Sequence, residues 1–317
     1  MKTAGFHRFA WLVLGVTLGV ILWGAYVRAS GSGAGCGSHW PTCNGEVIPR
    51  APSVATLVEL GHRASSGVVG LLVLAQLVWS FRAFGRGHPV RLAAVLSAVF
   101  LAVEALIGRG IVLSGLVADD ASIARAVSIS AHLVNTFLLL GSLTLTACWA
   151  RDDGRLRLRA LPGVTSGFVV GLVAIILVGM TGAVAALGDT LFPARSLAEG
   201  LTSEMSSSAH VFLRIRTWHP IAAVILAGYL LAFSSIATSR GAGRLRPLIN
   251  AVSRIVVVQI AAGLVNLWLL APVFMQLLHL VIADVLFISL VRLTAASLDA
   301  GAGEAAPAAF PEGEPTA

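Results

Sequence analysis

Long apolar stretches separated by short polar segments dominate the sequence. Each stretch is about as long as the roughly 18–20 residues that an α-helix needs to cross a lipid bilayer. The pattern predicts eight membrane-spanning helices, at residues 9–28, 61–81, 92–116, 123–149, 163–187, 217–238, 248–270 and 275–297. We therefore predict an all-α integral membrane protein.

Composition supports this fold class. Of 317 residues, 57% are hydrophobic and only 12% are charged, an apolar share far above that of a soluble domain. The first apolar run, at residues 9–27, is too long for a signal-peptide core and is followed by no convincing cleavage site. It is therefore counted as a true span.

The formal net charge of +7 raises the question of a polyanionic partner. The basic residues lie in short segments that the eight spans place on one side of the membrane, and the positive-inside rule makes that side cytoplasmic. This topology signal explains the charge better than nucleic acid does, and it predicts a multi-pass cell-membrane protein, in contact with lipid, with both termini in the cytoplasm. The residues are Lys2, Arg8, Arg82, Arg86, Arg91, Arg151, Arg155, Arg157, Arg159, Arg240, Arg244 and Arg246.

The chain resembles a duplication of itself. Each even-numbered span carries one histidine near its start, and the segment 131–134 around His132 matches the segment 278–281 around His279. We predict two pseudo-symmetric four-helix bundles, 1–150 and 151–298, with a site inside each. The tail at 299–317 is rich in Ala, Gly, Glu and Pro and is predicted to be disordered.

Two histidine pairs are the strongest chemical signal. His62 and His132 occupy similar depths in the first half, as do His219 and His279 in the second. Neutral imidazole is a good ligand for haem iron, and a four-helix bundle can carry an axial pair on facing helices. The alternative is four unrelated polar contacts between helices. Zinc or copper is a lesser rival, because no Cys or carboxylate recurs in both halves.

A carboxylate distinguishes the first half. In the motif Glu59-Leu60-Gly61-His62-Arg63, at the mouth of span two, Glu59 and His62 share a helix face. The corresponding residue in the second half is Arg216. The asymmetry indicates that one half performs chemistry while the other holds a cofactor. The alternative is an interfacial Glu59 paired with Arg63.

Cys36 and Cys43 lie close together in the first outer loop. Outside the cytoplasm such a pair is expected to form a disulfide, although a redox-active pair stays open. Glu104 and Arg109 in span three do not share a helix face, and no role is predicted for either. Cations near the outer ends of spans are candidates for binding haem propionates, or they are interfacial residues; these are Arg28, Arg63, Arg125, Arg214 and Arg216.

Together these motifs resemble the haem A synthases of the CtaA type, over about residues 8–298. The resemblance rests on the Glu-x-x-His-Arg motif, on Trp218-His219-Pro220, on the two His-Leu-Val segments and on the cysteine loop. It implies an oxidoreductase that converts the C8 methyl of haem O to the formyl group of haem A by successive hydroxylations, for use in terminal oxidases.

The resemblance also implies roles for individual residues. His219 and His279 would be the axial ligands of a haem b cofactor, His62 and His132 would ligate the substrate haem O with Arg63 nearby, and Glu59 would be essential to catalysis. Cys36 and Cys43 would form a loop disulfide. A haem O synthase and cytochrome oxidase would be partners.

The residues themselves leave two other readings open. One is a di-haem membrane cytochrome b that exchanges electrons with quinone, although such cytochromes usually stack their haems across the membrane, whereas these histidines lie on one side. The other is a transporter with inverted repeats and no haem. Two observations speak against it, because four spans per half give parallel repeats and no half-helix break is evident.

Overall fold

The computed structural model describes residues 2–151, 163–205, 209–239 and 242–300. Nine α-helices fall within those ranges. They are α1 (Lys2–Ala29), α2 (Val54–Ala83), α3 (Pro89–Leu113), α4 (Ile123–Trp149), α5 (Val164–Leu191), α6 (Leu197–Met205), α7 (Val211–Ser239), α8 (Arg246–Trp268) and α9 (Val273–Ala300).

Eight of the described helices, all except α6, are long and apolar enough to cross a membrane. The prediction of an all-α membrane protein with eight spans is confirmed. Placement in the cell membrane and cytoplasmic termini remain predictions. The apolar pattern does not indicate α6, which lies in the loop between the fifth and sixth spans.

Several spans begin earlier than the apolar pattern predicts. Helix α2 begins at Val54 rather than at residue 61, and α7 begins at Val211 rather than at residue 217. Ser53 explains the first case, because its hydroxyl accepts a hydrogen bond from the backbone N–H of Thr56 (3.1 Å) and caps the helix. A partly polar first turn is helical without being apolar, so hydrophobicity alone does not mark it.

Two helices near the centre of the fold join the two halves of the chain. Helices α4 and α9 pack on each other, and both pack on α5. The rings of Phe137 on α4 and Phe287 on α9 have centroids 4.6 Å apart, and Leu140 and Leu290 are fully buried nearby. The helices that carry His132 and His279 therefore form the interface between the halves. The division into two pseudo-symmetric bundles at residue 150 remains a prediction.

Some sequence predictions concern residues beyond the described ranges. The tail predicted at 299–317 is one of them: α9 continues through Asp299 and Ala300, and residues 301–317 lie outside the described part. Arg155, Arg157, Arg159 and Arg240, which supported the cytoplasmic loops, also lie outside it.

Candidate functional site

The four histidines occupy equivalent places on α2, α4, α7 and α9. Each is half-buried and lies within about two and a half turns of the start of its helix. Helices α2, α7 and α9 start earlier than predicted, so His62, His219 and His279 lie deeper in their helices than the apolar pattern indicates. His62 interacts electrostatically with His132, and His279 with His219. The members of each predicted pair thus lie near one another, and their use as paired ligands remains a prediction.

A glycine on the preceding span faces each histidine ring. A methyl group on any of these glycines would contact the imidazole, and at three of them it would come to 3.0 Å or less from the ring carbon Cε1. The absence of a side chain lets the ring lie directly against the neighbouring helix. The contacts and their distances from an added Cβ to Cε1 are Gly24 with His62 (2.8 Å), Gly108 with His132 (3.8 Å), Gly182 with His219 (2.8 Å) and Gly263 with His279 (3.0 Å).

Three of the four histidines have one buried ring nitrogen without a hydrogen-bond partner. Nδ1 of His62, His132 and His279 is buried without a hydrogen-bond partner, which is costly unless a ligand or another group satisfies it. His219 Nδ1 lies 3.1 Å from the Thr181 hydroxyl. Among the described residues, no group of three or more His, Cys, Asp or Glu side chains is placed to hold a metal ion.

Glu59 is buried and fully engaged by neighbouring groups. Its side chain is 4% exposed, and Arg63 Nη2 forms an ion pair with Oε1. The backbone N–H of Cys36 donates to Oε2 at 2.8 Å. The pairing with Arg63 is the alternative that the sequence left open. The contact with Cys36 was not predicted, because it depends on how the loop folds back onto α2.

The first outer loop folds onto α2 beside Glu59. Cys36 and Cys43 form the predicted disulfide, and the Thr56 hydroxyl donates to the carbonyl of Gly35 at 2.8 Å. Arg63 Nη1 donates to the carbonyls of His39 and Thr42, each at 2.8 Å. Arg63 therefore connects the loop to Glu59, one turn from His62.

Glu104, for which the sequence predicted no role, lies beside His132. Its Oε1 is 3.4 Å from His132 Nδ1, an ion-pair distance without hydrogen-bond geometry. Arg109 lies instead over the Trp40 ring, 5.7 Å from the centroid. The sequence signal for Glu104 was an acidic residue inside an apolar span, but its partner could not be found without the register between α3 and α4.

The arginines proposed for haem propionates have protein partners. Arg125 donates to the carbonyls of Ala118 (2.6 Å) and Asp120 (2.7 Å). Arg216 pairs with Asp189 (3.1 Å) and with Glu204 on α6. These contacts connect loops to spans, and they favour a structural role over propionate binding for both residues.

Arg28 connects the two halves. From the end of α1 its guanidinium donates to the carbonyl of Ala186 (2.8 Å) and to the Thr190 hydroxyl (3.1 Å) on α5. It also donates to Gln276 Oε1 on α9 at 3.0 Å. Arg28 thus has three partners in the second half and none of these contacts involves the histidines.

Comparison with known proteins gives two kinds of relative. Residues 7–291 match the family model COX15-CtaA, described as cytochrome oxidase assembly protein. A protoheme IX farnesyltransferase of Thermus thermophilus is 46% identical over 311 residues, which cover 95% of this chain and 50% of that protein. The chain therefore spans about half the length of that relative.

Proteins named heme A synthase are the second kind. That of Exiguobacterium sibiricum is 43% identical over 93 residues, covering 29% of this chain and 31% of the relative. That of Geobacillus kaustophilus is 36% identical over 156 residues, covering 46% and 49%. Because the family model matches nearly the whole chain, this protein belongs to the COX15–CtaA family of cytochrome oxidase assembly proteins.

Proposed function

We propose that this chain is a haem A synthase, an oxidoreductase that converts the C8 methyl of haem O to the formyl group of haem A. The observation that carries the proposal is the duplicated arrangement of paired histidines, each ring lying against a glycine of the preceding span. Membership of a cytochrome oxidase assembly family and relatives named heme A synthase support it. They do not favour the di-haem electron-transfer cytochrome.

We assign the two halves different tasks. His219 and His279 would hold haem b, and His62 and His132 would hold the substrate haem O. The support is the difference in charge beside the pairs, since the buried carboxylate Glu59 lies one turn from His62. Arg216 occupies the corresponding position before His219. When bound, haem b would supply an iron that changes its oxidation state.

Glu59 is the proposed catalytic carboxylate. Oxidation of a methyl group releases protons and electrons, and a nearby negative charge stabilises positive charge that develops on that carbon. Because both oxygens of Glu59 have donors, we propose that it acts first through its charge. Each oxygen keeps a second lone pair, so Glu59 could also take up a proton while Arg63 and the Cys36 N–H stay in place.

Arg63 is the proposed substrate-binding residue beside Glu59. Its contacts with the carbonyls of His39 and Thr42 suggest how it would act, by holding the outer loop next to His62. The loop would then cover the substrate and limit the access of water to it.

A haem O synthase and cytochrome oxidase are the proposed partners. The first would supply the substrate and the second would receive the product. The Thermus relative supports the first, since this chain corresponds to half of a protein named for farnesylation of protoheme IX. The family description supports the second. The chain would act in the cell membrane, with both termini in the cytoplasm.

Pigment extraction from variants tests the assignment. We expect His219→Ala and His279→Ala to lose tightly bound haem b. Glu59→Ala should keep haem b but accumulate haem O or a partly oxidised haem. His7→Ala is the matched control and should resemble the parent. His7 lies near the start of α1 and contacts the carbonyl of Ala147, whereas His62 faces Gly24 near the other end of α1.

Variants of the other pair complete the test. His62→Ala and His132→Ala should stop haem A formation, as Glu59→Ala does, and should bind haem O less firmly. Haem A formed by Glu59→Ala at near the parent rate would overturn the catalytic assignment. If His219→Ala keeps its haem b while His62→Ala loses it, the two halves have been assigned the wrong way round.

A further inference from the structure

Helices α3 and α8 each carry two residues that lie against a histidine ring, and the spacing between the two residues is the same on both helices. On α3, Glu104 lies four residues before Gly108, and on α8, Gln259 lies four residues before Gly263. Residues four apart share a helix face. In each case the glycine faces the ring of a histidine, and the residue one turn earlier contacts a nitrogen of that same ring. Glu104 and Gln259 are therefore equivalent positions in the two halves.

Helix α4 holds the Glu104 carboxylate in place. Asn135 Nδ2 donates to Oε2, and the Thr136 hydroxyl lies within hydrogen-bond distance of Oε1. The same hydroxyl can donate instead to the carbonyl of His132 at 2.9 Å, and its single proton serves one acceptor at a time. With a side chain only 17% exposed, the Glu104 carboxylate is held with its Oε1 3.4 Å from His132 Nδ1.

Gln259 contacts its histidine without a charge and at the other ring nitrogen, Nε2 rather than Nδ1. Its side-chain amide nitrogen lies 3.1 Å from His279 Nε2. Beside the histidine, the first half therefore has a carboxylate and the second half a neutral amide, while the spacing on the helix, the glycine and the histidine are the same.

We propose that Glu104 is a positioning residue for His132. Its carboxylate lies beside Nδ1, so it leaves Nε2 for iron, and once it accepts a hydrogen bond from Nδ1 it would orient the imidazole and make the ring a stronger electron donor. It thereby lowers the midpoint potential of the haem held by His62 and His132 below that of the haem held by His219 and His279. This inference rests on the proposed function, since it requires haem at both pairs.

The direction of this effect suits the proposed chemistry. A negative charge beside a ligand stabilises the oxidised, more positive iron, so electrons leave the first half more readily. The neutral amide of Gln259 makes the second half the better electron acceptor. The buried Glu59 acts in the same direction, because it adds a second carboxylate to the first half only, although Arg63 offsets its charge.

A purely structural role is the competing explanation. Glu104 joins α3 to α4 through Asn135 and Thr136, so its loss could simply loosen that helix pair. Two measurements distinguish the structural role from the electrostatic one. Loosening of the α3–α4 pair would lower the unfolding temperature of the protein, whereas loss of the charge would shift one midpoint potential to a more positive value.

Potentiometric titration of the purified protein containing haem in both halves tests the proposal at a single pH. E104Q keeps the shape of the side chain and removes its charge, and we expect one of the two reduction waves to shift to a more positive potential. Q259E adds a charge at the equivalent position, and we expect the other wave to shift to a more negative potential. Thermal unfolding of the haem-free protein is measured in parallel.

Each outcome decides a separate point. Unmoved waves in both variants, with a parent protein that binds two haems and makes haem A, would overturn the role of Glu104 alone. Lower thermal stability of E104Q with both potentials unchanged would show the structural role instead. If E104Q does not fold, E104M decides instead, because it removes the carboxylate without placing a polar group in the span, and an unmoved first wave contradicts the effect of charge beside His132 Nδ1. A parent protein that binds no haem at His62 and His132 would overturn the proposed function as well.

Discussion

Single glycines set how closely each histidine ring approaches the neighbouring helix. A Cβ on Gly24 would lie 2.8 Å from His62 Cε1, which forces the ring to move, whereas a Cβ on Gly108 would lie 3.8 Å from His132 Cε1, an ordinary contact. Overpacking of this kind costs about 1–3 kcal/mol. We expect Gly24→Ala to weaken haem binding in the first half by roughly 10- to 100-fold.

Gly108→Ala is the matched control for that prediction. Both substitutions add one methyl group to a membrane helix beside a histidine of the same pair, so their effects on helix propensity cancel. Titration of the haem-free protein with haem, followed by absorbance, should give an affinity for Gly108→Ala within about twofold of the parent. Equal losses in the two variants would show that the close approach at Gly24 is not what holds the His62 ring.

The sequence singles out candidate residues where a polar group interrupts an apolar helix. All four histidines and Glu59 stand out for that reason, since ionisable groups in a membrane span are costly and usually functional. Their partners are harder to find. Gly108 and Glu104 touch His132 only because α3 and α4 pack in one register, and no spacing within a single helix encodes that register.

At the scale of elements, the disulfide loop is joined to α2 by several independent contacts. Closing a loop of this length stabilises the fold by roughly 2–3 kcal/mol, mainly by restricting the unfolded chain. We expect Cys36→Ser to lower yield or stability while changing the haem spectrum little. Residue 36 would still offer its backbone N–H to Glu59, because the substitution alters only the side chain.

Alkylation measures the state of the two thiols. In membranes prepared without reductant, neither Cys36 nor Cys43 should react until a reductant is added. Cys148 lies at the far end of α4 from this loop, so Cys148→Ser gives a background in which only the loop cysteines are counted. Labelling of two loop thiols in the untreated protein would contradict the bridge.

The number of membrane-spanning helices could be predicted from the sequence, but the full length of each helix could not. The apolar pattern gives the bounds of α4 as the structure has them, because Ser122 caps that helix directly before its apolar face begins. It misses the first turns of α2 and α7, where the helix starts in polar sequence. It also misses α6, which is stabilised by the contacts of Glu204 with Arg216 and Thr217 rather than by an apolar face.

For the whole molecule, Arg28 is the clearest polar connection between the halves. Arg28→Ala removes three hydrogen bonds from a charged donor to α5 and α9. We expect a loss of about 3 kcal/mol in the free energy of unfolding. Arg50→Ala is the matched control, since the Arg50 side chain is 94% exposed and pairs with Glu46 only at 3.9 Å. An Arg28→Ala protein as stable in detergent as Arg50→Ala would rule out this role.

The orientation of the molecule in the membrane is tested with reporter fusions. The basic loops predict that a reporter joined after Leu298 is active only in a form that works in the cytoplasm. A control fusion after Val117, between α3 and α4, should be active only in a form that works outside. Activity of the exported form after Leu298 would place the histidines at the other face of the membrane.

The shared depth of the four histidines has a consequence for the membrane voltage. A charge that crosses the membrane gains or loses about 2.3 kcal/mol for each 100 mV. Because both pairs lie near the same ends of their helices, an electron that passes between them would travel parallel to the membrane plane. The transfer would be electrically silent, so dissipating the membrane potential with an ionophore should leave its rate unchanged.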